Sequence, residues 1–98
     1  MDEHGAIEKD AFIWRQGQAE VSLLREGDSW RIVYISTGRL LGPKYVLYEQ
    51  RHKHAKQAAW DLMARVIRIS SDEDQGLSVA REAAKWMRSI STADEMDD

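Results

Sequence analysis

AEVSLLREGDSWRIVYIST, residues 19 to 37, is the stretch that decides the fold, because two runs of alternating apolar and polar side chains flank a turn sequence. The turn is EGDS, residues 26 to 29, and its glycine tolerates the positive φ that tight hairpin turns require. The pattern therefore predicts a β-hairpin, through either a two-residue or a four-residue loop. Both loops set Arg25 opposite Trp30.

This register assigns the side chains of the hairpin to two faces, because side chains alternate along a strand with a period of two. The apolar face carries Val21, Leu23, Ile32 and Tyr34, with Leu23 opposite Ile32 and Val21 opposite Tyr34. The mixed face, for which we predict partial exposure, carries Glu20, Ser22, Leu24, Arg31, Val33 and Ile35. A slip of one residue would exchange the two faces, so burial of the apolar face tests the register.

Further strands are predicted on either side of the hairpin. FIWRQ, residues 12 to 16, is a short apolar run that ends at Gly17. After the hairpin, Gly42-Pro43 predicts a turn, and a strand follows near residues 44 to 49. Proline lacks the N–H that a sheet ladder needs, so Pro43 is placed at the start of that strand or on an edge.

From about residue 51 the period of the apolar residues changes from that of a strand to that of a helix. The stripe of the first predicted helix is Ala55, Ala59, Leu62, Val66 and Ile69, widened by Ala58 and Met63. SSDEDQG, residues 70 to 76, interrupts the pattern. The stripe of the second predicted helix, from about 75 to 91, is Leu77, Ala80, Ala83, Ala84, Met87 and Ile90, with Trp86 beside it.

The order of these elements predicts an α+β fold, in which an antiparallel β-meander of three to four strands is followed by two helices packed on one face. We expect a single domain over residues 11–91, since a chain of 98 residues is of single-domain size. Residues 1–10 and 92–98 are acidic and offer little to bury, so they are predicted to be disordered tails.

The succession of strands and helix over SWRIVYISTGRLLGPKYVLYEQ (29–50) and KQAAWDLMARV (56–66) is similar to that of small sheet-based DNA-binding domains, such as the plant AP2 type and the arm-binding domain of integrases. The resemblance lies in the order of the elements and not in a diagnostic motif. No residue roles are carried across, because fold does not imply function.

Charge is unevenly distributed along the chain, whose formal net charge is −3. Residues 39 to 68 hold seven lysines and arginines against two carboxylates, a net +5, which leaves −8 for the remainder. The cations predicted to bind nucleic acid or another anionic ligand are Arg39, Lys44, Arg51, Lys53 and Lys56. They gather where the first helix begins and its free N–H groups attract anions. The alternative is that they are solvated, or paired with Glu49, Asp61 or the acidic tails.

Four tryptophans in 98 residues provide the other candidate surface. Trp60 and Trp86 lie beside the apolar stripes of their helices, so either ring is a candidate anchor for a protein partner or a homodimer. The alternative is that these tryptophans belong to the core. Binding of a protein through these rings is the second functional hypothesis, beside the binding of nucleic acid.

Other classes of function find little support in the sequence. The chain has no cysteine, which excludes disulfides and thiolate metal sites. His52 and His54 lack an obvious third ligand, so we expect no metal site and no cofactor. No acid–base residues stand at a telling spacing, and we expect a non-enzymatic protein. No apolar run approaches the roughly 20 residues needed to cross a bilayer, so we expect a cytoplasmic protein without membrane contact.

Overall fold

A computed structural model of the chain describes residues 6–8, 10–36 and 45–90. Five strands form one antiparallel sheet, and their order in the sheet is their order along the chain. The strands are β1 (Ala6–Glu8), β2 (Ala11–Gln16), β3 (Ala19–Glu26), β4 (Ser29–Ser36) and β5 (Tyr45–His52). Two helices follow, α1 (Ala55–Ser70) and α2 (Glu73–Ile90). The predicted α+β fold, a meander followed by two helices, is confirmed.

The turns between β2 and β3 and between β3 and β4 are both two residues long, and both begin with glycine. Gly17 and Gly27 have φ of 59° and 60°, in the left-handed region that strains residues with a Cβ. At the next positions, Gln18 and Asp28, φ is not positive. This combination is typical of a type II′ turn, whose backbone follows the twist of two paired strands.

The register predicted for the central hairpin is confirmed. Arg25 pairs with Trp30 across a two-residue loop, and the following pairs are those expected from the alternation of side chains. On the apolar face Val21, Leu23 and Ile32 are fully buried, whereas the residues of the mixed face are half-buried. The alternation in the sequence therefore reports correctly which face lies against the core.

The two helices cover the apolar face of the sheet and complete the hydrophobic core. Helix α1 lies against β2 to β5, and α2 packs on α1 and reaches β2. The buried residues of α1 belong to its predicted stripe and are Ala55, Ala58, Leu62 and Val66. From the sheet come the rings of Phe12, Trp14 and Trp30. Burial of apolar area, at ~25 cal/mol per Å2, supplies the main stabilisation of this arrangement.

The apolar stripe of α2 is turned relative to the prediction. The buried residues of this helix are Gly76, Val79, Ala83, Trp86 and Met87. Leu77 and Ile90, which the sequence placed on the stripe, are exposed. The helix carries a second apolar series, Leu77, Ala80 and Ala84, which lies at the outer side of the helix layer beside α1.

The short strand β1 lies within residues 1–10, for which the sequence predicted a disordered tail. Its register with β2 begins with Ala6 opposite Ile13. Three residues are too few to show an alternation, so the sequence pattern gave no sign of this strand. Residues 1–5 and the predicted C-terminal tail, 92–98, lie outside the described residues.

The strand β5 forms the other edge of the sheet. Its pairing with β4 shifts between Tyr34 and Ile35, so that Tyr34 faces Tyr48 and Ile35 faces Val46. Leu47 is the extra residue of the resulting β-bulge. The apolar side chains at the start of the strand are exposed, and they are Tyr45, Val46 and Leu47. A bulge on an edge strand disturbs the ladder there and discourages pairing with another sheet.

The turn between the helices brings α2 close to α1 at Gly76. Ser71 ends α1 with φ of 59° and donates its N–H to the carbonyl oxygen of Ile67 at 2.7 Å. Asp72 Oδ1 accepts the N–H of Gln75 at 3.1 Å and so acts as the N-cap of α2. The helices then approach so closely that a Cβ at Gly76 would overlap Ile67 Cγ1.

The substitution Gly76→Ala is expected to lower the free energy of unfolding by about 1–2 kcal/mol, although alanine is favoured over glycine within helices by ~1 kcal/mol. The added Cβ would overlap Ile67 Cγ1 and lie 3.0 Å from Cδ1. The branched Ile67 side chain has little rotamer freedom in a helix. Urea unfolding of G76A, I67A and the double variant measures the effect.

The matched comparison is the double variant, in which the shortened side chain at position 67 relieves the overlap. We expect it to be more stable than the sum of the two single changes predicts. A stabilised Gly76→Ala protein, or two effects that add, would contradict the close approach of the helices.

Candidate functional site

The basic patch predicted from the sequence is brought together only in part. Arg39 and Lys44 lie outside the described residues. Lys53 and Lys56 are exposed on either side of the start of α1. The first turn of this helix holds no acidic residue, and the side chain of its N-cap residue, His54, makes no capping hydrogen bond. Cations at this end oppose the helix dipole, so helix stability does not account for the two lysines.

Arg51, the remaining residue of the patch, belongs to an ion-pair network on the open face of the sheet. Its Nη2 lies 2.9 Å from Glu26 Oε1. Arg31 bonds both Glu26, at 2.7 Å, and Glu49. The hydrogen bond to Glu49 raises the pKa of Arg31. Both guanidinium groups therefore have counter-charges within the domain, and a phosphate bound by Arg51 would have to compete with Glu26.

A cluster of polar side chains joins β5 to α1 around Asp61. Asp61 Oδ2 accepts hydrogen bonds from Tyr48 Oη at 2.9 Å and from His52 Nε2 at 2.7 Å. Arg65 Nε lies 3.7 Å from Asp61 Oδ1, and its guanidinium stacks over the ring of Tyr48 at 4.2 Å. The Asp61 side chain is only 9% exposed. This carboxylate is therefore provided with two donors and a neighbouring cation.

The geometry of the cluster is that of a structural link between sheet and helix. Burial and, next, the hydrogen bond to Asp61 raise the pKa of Tyr48, so its phenol stays neutral and donates. The side chains of Tyr48 and His52 both hydrogen-bond to Asp61 Oδ2, so this oxygen is engaged within the cluster. In the part of the chain that the structure describes, no group of three His, Cys, Asp or Glu side chains could hold a metal ion.

The two tryptophans predicted as anchors lie in different environments. Trp86 is only 5% exposed. Its ring packs edge to face on Trp30, with ring centroids 6.0 Å apart, and contacts Phe12 in a tilted arrangement, with centroids 6.2 Å apart. Because α2 is turned, this ring belongs to the core, and Trp86 is removed from the candidate anchors. Trp60 is 63% exposed. Of the two, Trp60 is the ring that a partner can reach.

Trp60 forms part of an apolar groove between the outer sides of α1 and α2. The groove has a volume of about 230 Å3 and is open to solvent. Its lining residues are Lys56, Ala59, Trp60, Met63, Leu77, Ala80, Arg81 and Ala84. The three alanines keep the space between the helices clear, while Trp60, Met63 and Leu77 supply the larger apolar surfaces.

Sequence reasoning identified Trp60 but missed the rest of this groove. Leu77, Ala80 and Ala84 were assigned to the buried stripe of α2, whereas they line the groove. The signal that could have located them is the presence of two apolar series on one helix. One series packs on the sheet, so the other must face solvent or a neighbouring element.

No protein-family model matches the chain, and comparisons with curated proteins and with solved structures give no match either. The similarity in element order to small sheet-based DNA-binding domains is thus without support from a solved structure. Neither of the described helices combines the length and the apolar character that crossing a bilayer requires.

Proposed function

We propose that this chain is a non-enzymatic domain that binds another protein on the outer side of α1 and α2. The observation that carries the proposal is the exposed indole of Trp60 beside an apolar groove. Tryptophan is enriched among the residues that dominate binding energy at protein interfaces. The core does not require this ring, because it is already filled by Trp14, Trp30 and Trp86.

The exposed part of the indole is a substantial source of binding energy. An aromatic side chain buries on the order of 150 Å2 when it is covered. At ~25 cal/mol per Å2, covering Trp60 would contribute about 4 kcal/mol before the costs of association are subtracted. Met63 and Leu77 extend the same apolar surface, which supports a partner that covers the groove as a whole.

Replacement of Trp60 by alanine is expected to weaken binding of the partner at least about tenfold, because a central tryptophan is a frequent hot spot. The partner is first identified by photo-crosslinking from position 57, the exposed glutamine one turn before Trp60 on α1, in cells that make the protein. Its affinity for the purified wild type and for Trp60→Ala is then measured by calorimetry.

The matched control is Val46→Ala, which removes an exposed apolar side chain from β5, on the sheet rather than on the helices. This variant should bind the crosslinked partner as tightly as the wild type does. Equal affinities of the wild type and Trp60→Ala would contradict the proposed function, as would equal crosslinking from positions 46 and 57.

Binding of nucleic acid or another anionic ligand through the basic patch is the second candidate function. It is supported by the exposure of Lys53 and Lys56 beside the start of α1. The pairing of Arg51 with Glu26 speaks against it. The test is binding of a labelled oligonucleotide at two salt concentrations, since phosphate contacts weaken steeply as salt rises. Absence of binding at low salt would remove this candidate.

A further inference from the structure

The groove on the helix layer has the shape and the backbone chemistry of a helix-binding site. It follows the line between α1 and α2, which are joined by the short turn at Ser71 and Asp72. The backbone N–H and C=O groups in the bodies of these helices bond within the helices, so the groove offers no ladder to an extended strand. A partner helix satisfies its own backbone and can fill the groove with one apolar stripe.

The small side chains in the groove set how closely such a helix can approach. Ala59, Ala80 and Ala84 line it. Because alanine adds only a methyl group, a partner's larger side chains can enter between the two helices. Trp60 and Leu77 then contact that stripe from either side, one from α1 and the other from α2.

The charges around the groove indicate the charge of its partner. The charged residues among those that line it are two cations, Lys56 and Arg81. The exposed charged residues of α1 and α2 are the cations Lys56, Arg68, Arg81, Lys85 and Arg88, and the anions Glu73 and Asp74 in the first turn of α2. Of the other carboxylates on the two helices, Asp61 lies in the polar cluster and Glu82 is half-buried.

We propose that the partner presents an amphipathic helix whose apolar stripe is flanked by aspartate or glutamate. This inference rests on the proposed function and adds to it the secondary structure and the charge of what the groove binds. The apolar stripe covers Trp60, Met63 and Leu77, and the flanking carboxylates face Lys56 and Arg81. Opposite charges at the rim of an interface raise the association rate and discriminate against wrong partners.

Other occupants fit this surface less well. A second copy of the chain would present on the same face a groove lined by Lys56 and Arg81, and not the acid-flanked apolar stripe that these two cations favour. Nucleic acid would satisfy Lys56 and Arg81 but would set phosphates against the apolar walls around Met63 and Leu77. An anionic lipid surface is flat and would leave the groove between the helices unfilled.

The test is selection from a displayed library of helical peptides about 18 residues long, which corresponds to ~27 Å of helix. The apolar stripe is constant, and the flanking positions vary among glutamate, lysine, glutamine and serine. The wild-type chain is the bait, and Trp60→Ala is the bait for counter-selection. We expect glutamate to be enriched at the flanking positions of peptides that depend on Trp60.

Reversal of both groove cations, Lys56→Glu together with Arg81→Glu, provides the matched test of charge. We expect the best acid-flanked peptide to bind this variant at least about tenfold more weakly, and its lysine-flanked counterpart to bind more tightly. Arg68→Glu, outside the groove, should change the affinity less than about twofold. Trp60 emission reports binding, because the other three tryptophans are buried.

Each outcome of the selection decides between definite alternatives. Trp60-dependent peptides with lysine, or without charge preference, would overturn the acidic partner and leave the protein-binding function standing. A lack of any Trp60-dependent enrichment would overturn both. The acidic helix would also be overturned by self-association that Trp60→Ala abolishes. The acidic helix would likewise be overturned if oligothymidylate, or phosphatidylcholine vesicles that contain phosphatidylglycerol, bound more tightly than the best peptide and did so only when Trp60 is present.

Discussion

Replacement of Trp86 by alanine is expected to lower the free energy of unfolding by about 3–5 kcal/mol, a large share of the ~5–15 kcal/mol that is usual for a domain. The ring is almost completely buried and contacts both Phe12 and Trp30. Its removal would delete two aromatic contacts and leave a cavity between α2 and the sheet. Urea unfolding followed by far-ultraviolet circular dichroism measures the loss.

The matched control is Trp60→Ala, which deletes the same side chain from the surface of the neighbouring helix. We expect its stability to lie within about 1 kcal/mol of the wild type, because surface substitutions away from buried features have small effects. Trp86→Phe keeps an aromatic ring and should fall between the wild type and Trp86→Ala. Equal stabilities of the two alanine variants would contradict the placement of Trp86 in the core.

The second large effect is expected for Asp61→Ala, which should cost about 2–4 kcal/mol of unfolding free energy. This substitution leaves the donors of Tyr48 and His52 without their acceptor, and Arg65 without its neighbouring anion. The cost of such a change arises mainly from the buried groups that remain unpaired. Urea unfolding measures it, with Glu49→Ala on the open face of the sheet as the exposed control.

Titration of the Tyr48 phenol at high pH tests the same polar cluster independently. Its pKa in the folded protein is raised above the ordinary 10.0, first by burial and then by Asp61. The neutral phenol is thus favoured in the folded state, and its contribution to stability is complete below pH 10 and is lost as the pH rises through the raised pKa. Tyrosinate absorbance should therefore develop at lower pH in Asp61→Asn than in the wild type. An unchanged curve, with Tyr48→Phe as reference, would contradict the hydrogen bond.

The sheet could be predicted from the sequence because its signal is local. In the hairpin of β3 and β4, the alternation of side chains and the glycine of the turn act on neighbouring residues, and together they leave one register. Arg25 and Trp30 are therefore paired as predicted. The strand β1 was not predicted, because Ala6–Glu8 forms a strand by pairing with β2 and shows no sequence pattern of its own.

The rotation of α2 could not be predicted, because the helix offers two apolar series that differ little in hydrophobicity. Ala83 and Met87 belong to the series that faces the sheet, and Leu77 and Ala84 were grouped with them. Only the position of the sheet relative to the helix decides between the two series. That position also decides that Trp86 is buried.

The polar cluster and the groove depend on tertiary structure in the same way. Tyr48 and Asp61 are on different elements, and nothing in their separation along the chain distinguishes them from other tyrosines and aspartates. They meet because α1 crosses β5 at this point. The excess of basic residues was visible in the sequence. The sequence did not show that Arg51 is ion-paired within the domain whereas Lys53 is exposed.

The order of strands along the chain also has a kinetic consequence. Pairing of each strand with its neighbour in sequence keeps the contact order of the sheet low, which is typical of rapid folding. The ribosome, however, makes the sheet before it makes α1 and α2. At ~5–20 residues per second, the face that carries Val21, Leu23 and Ile32 stays uncovered for about 2–8 seconds of synthesis. During that interval the apolar face has no helix to pack on within the chain, until α1 and α2 have been made.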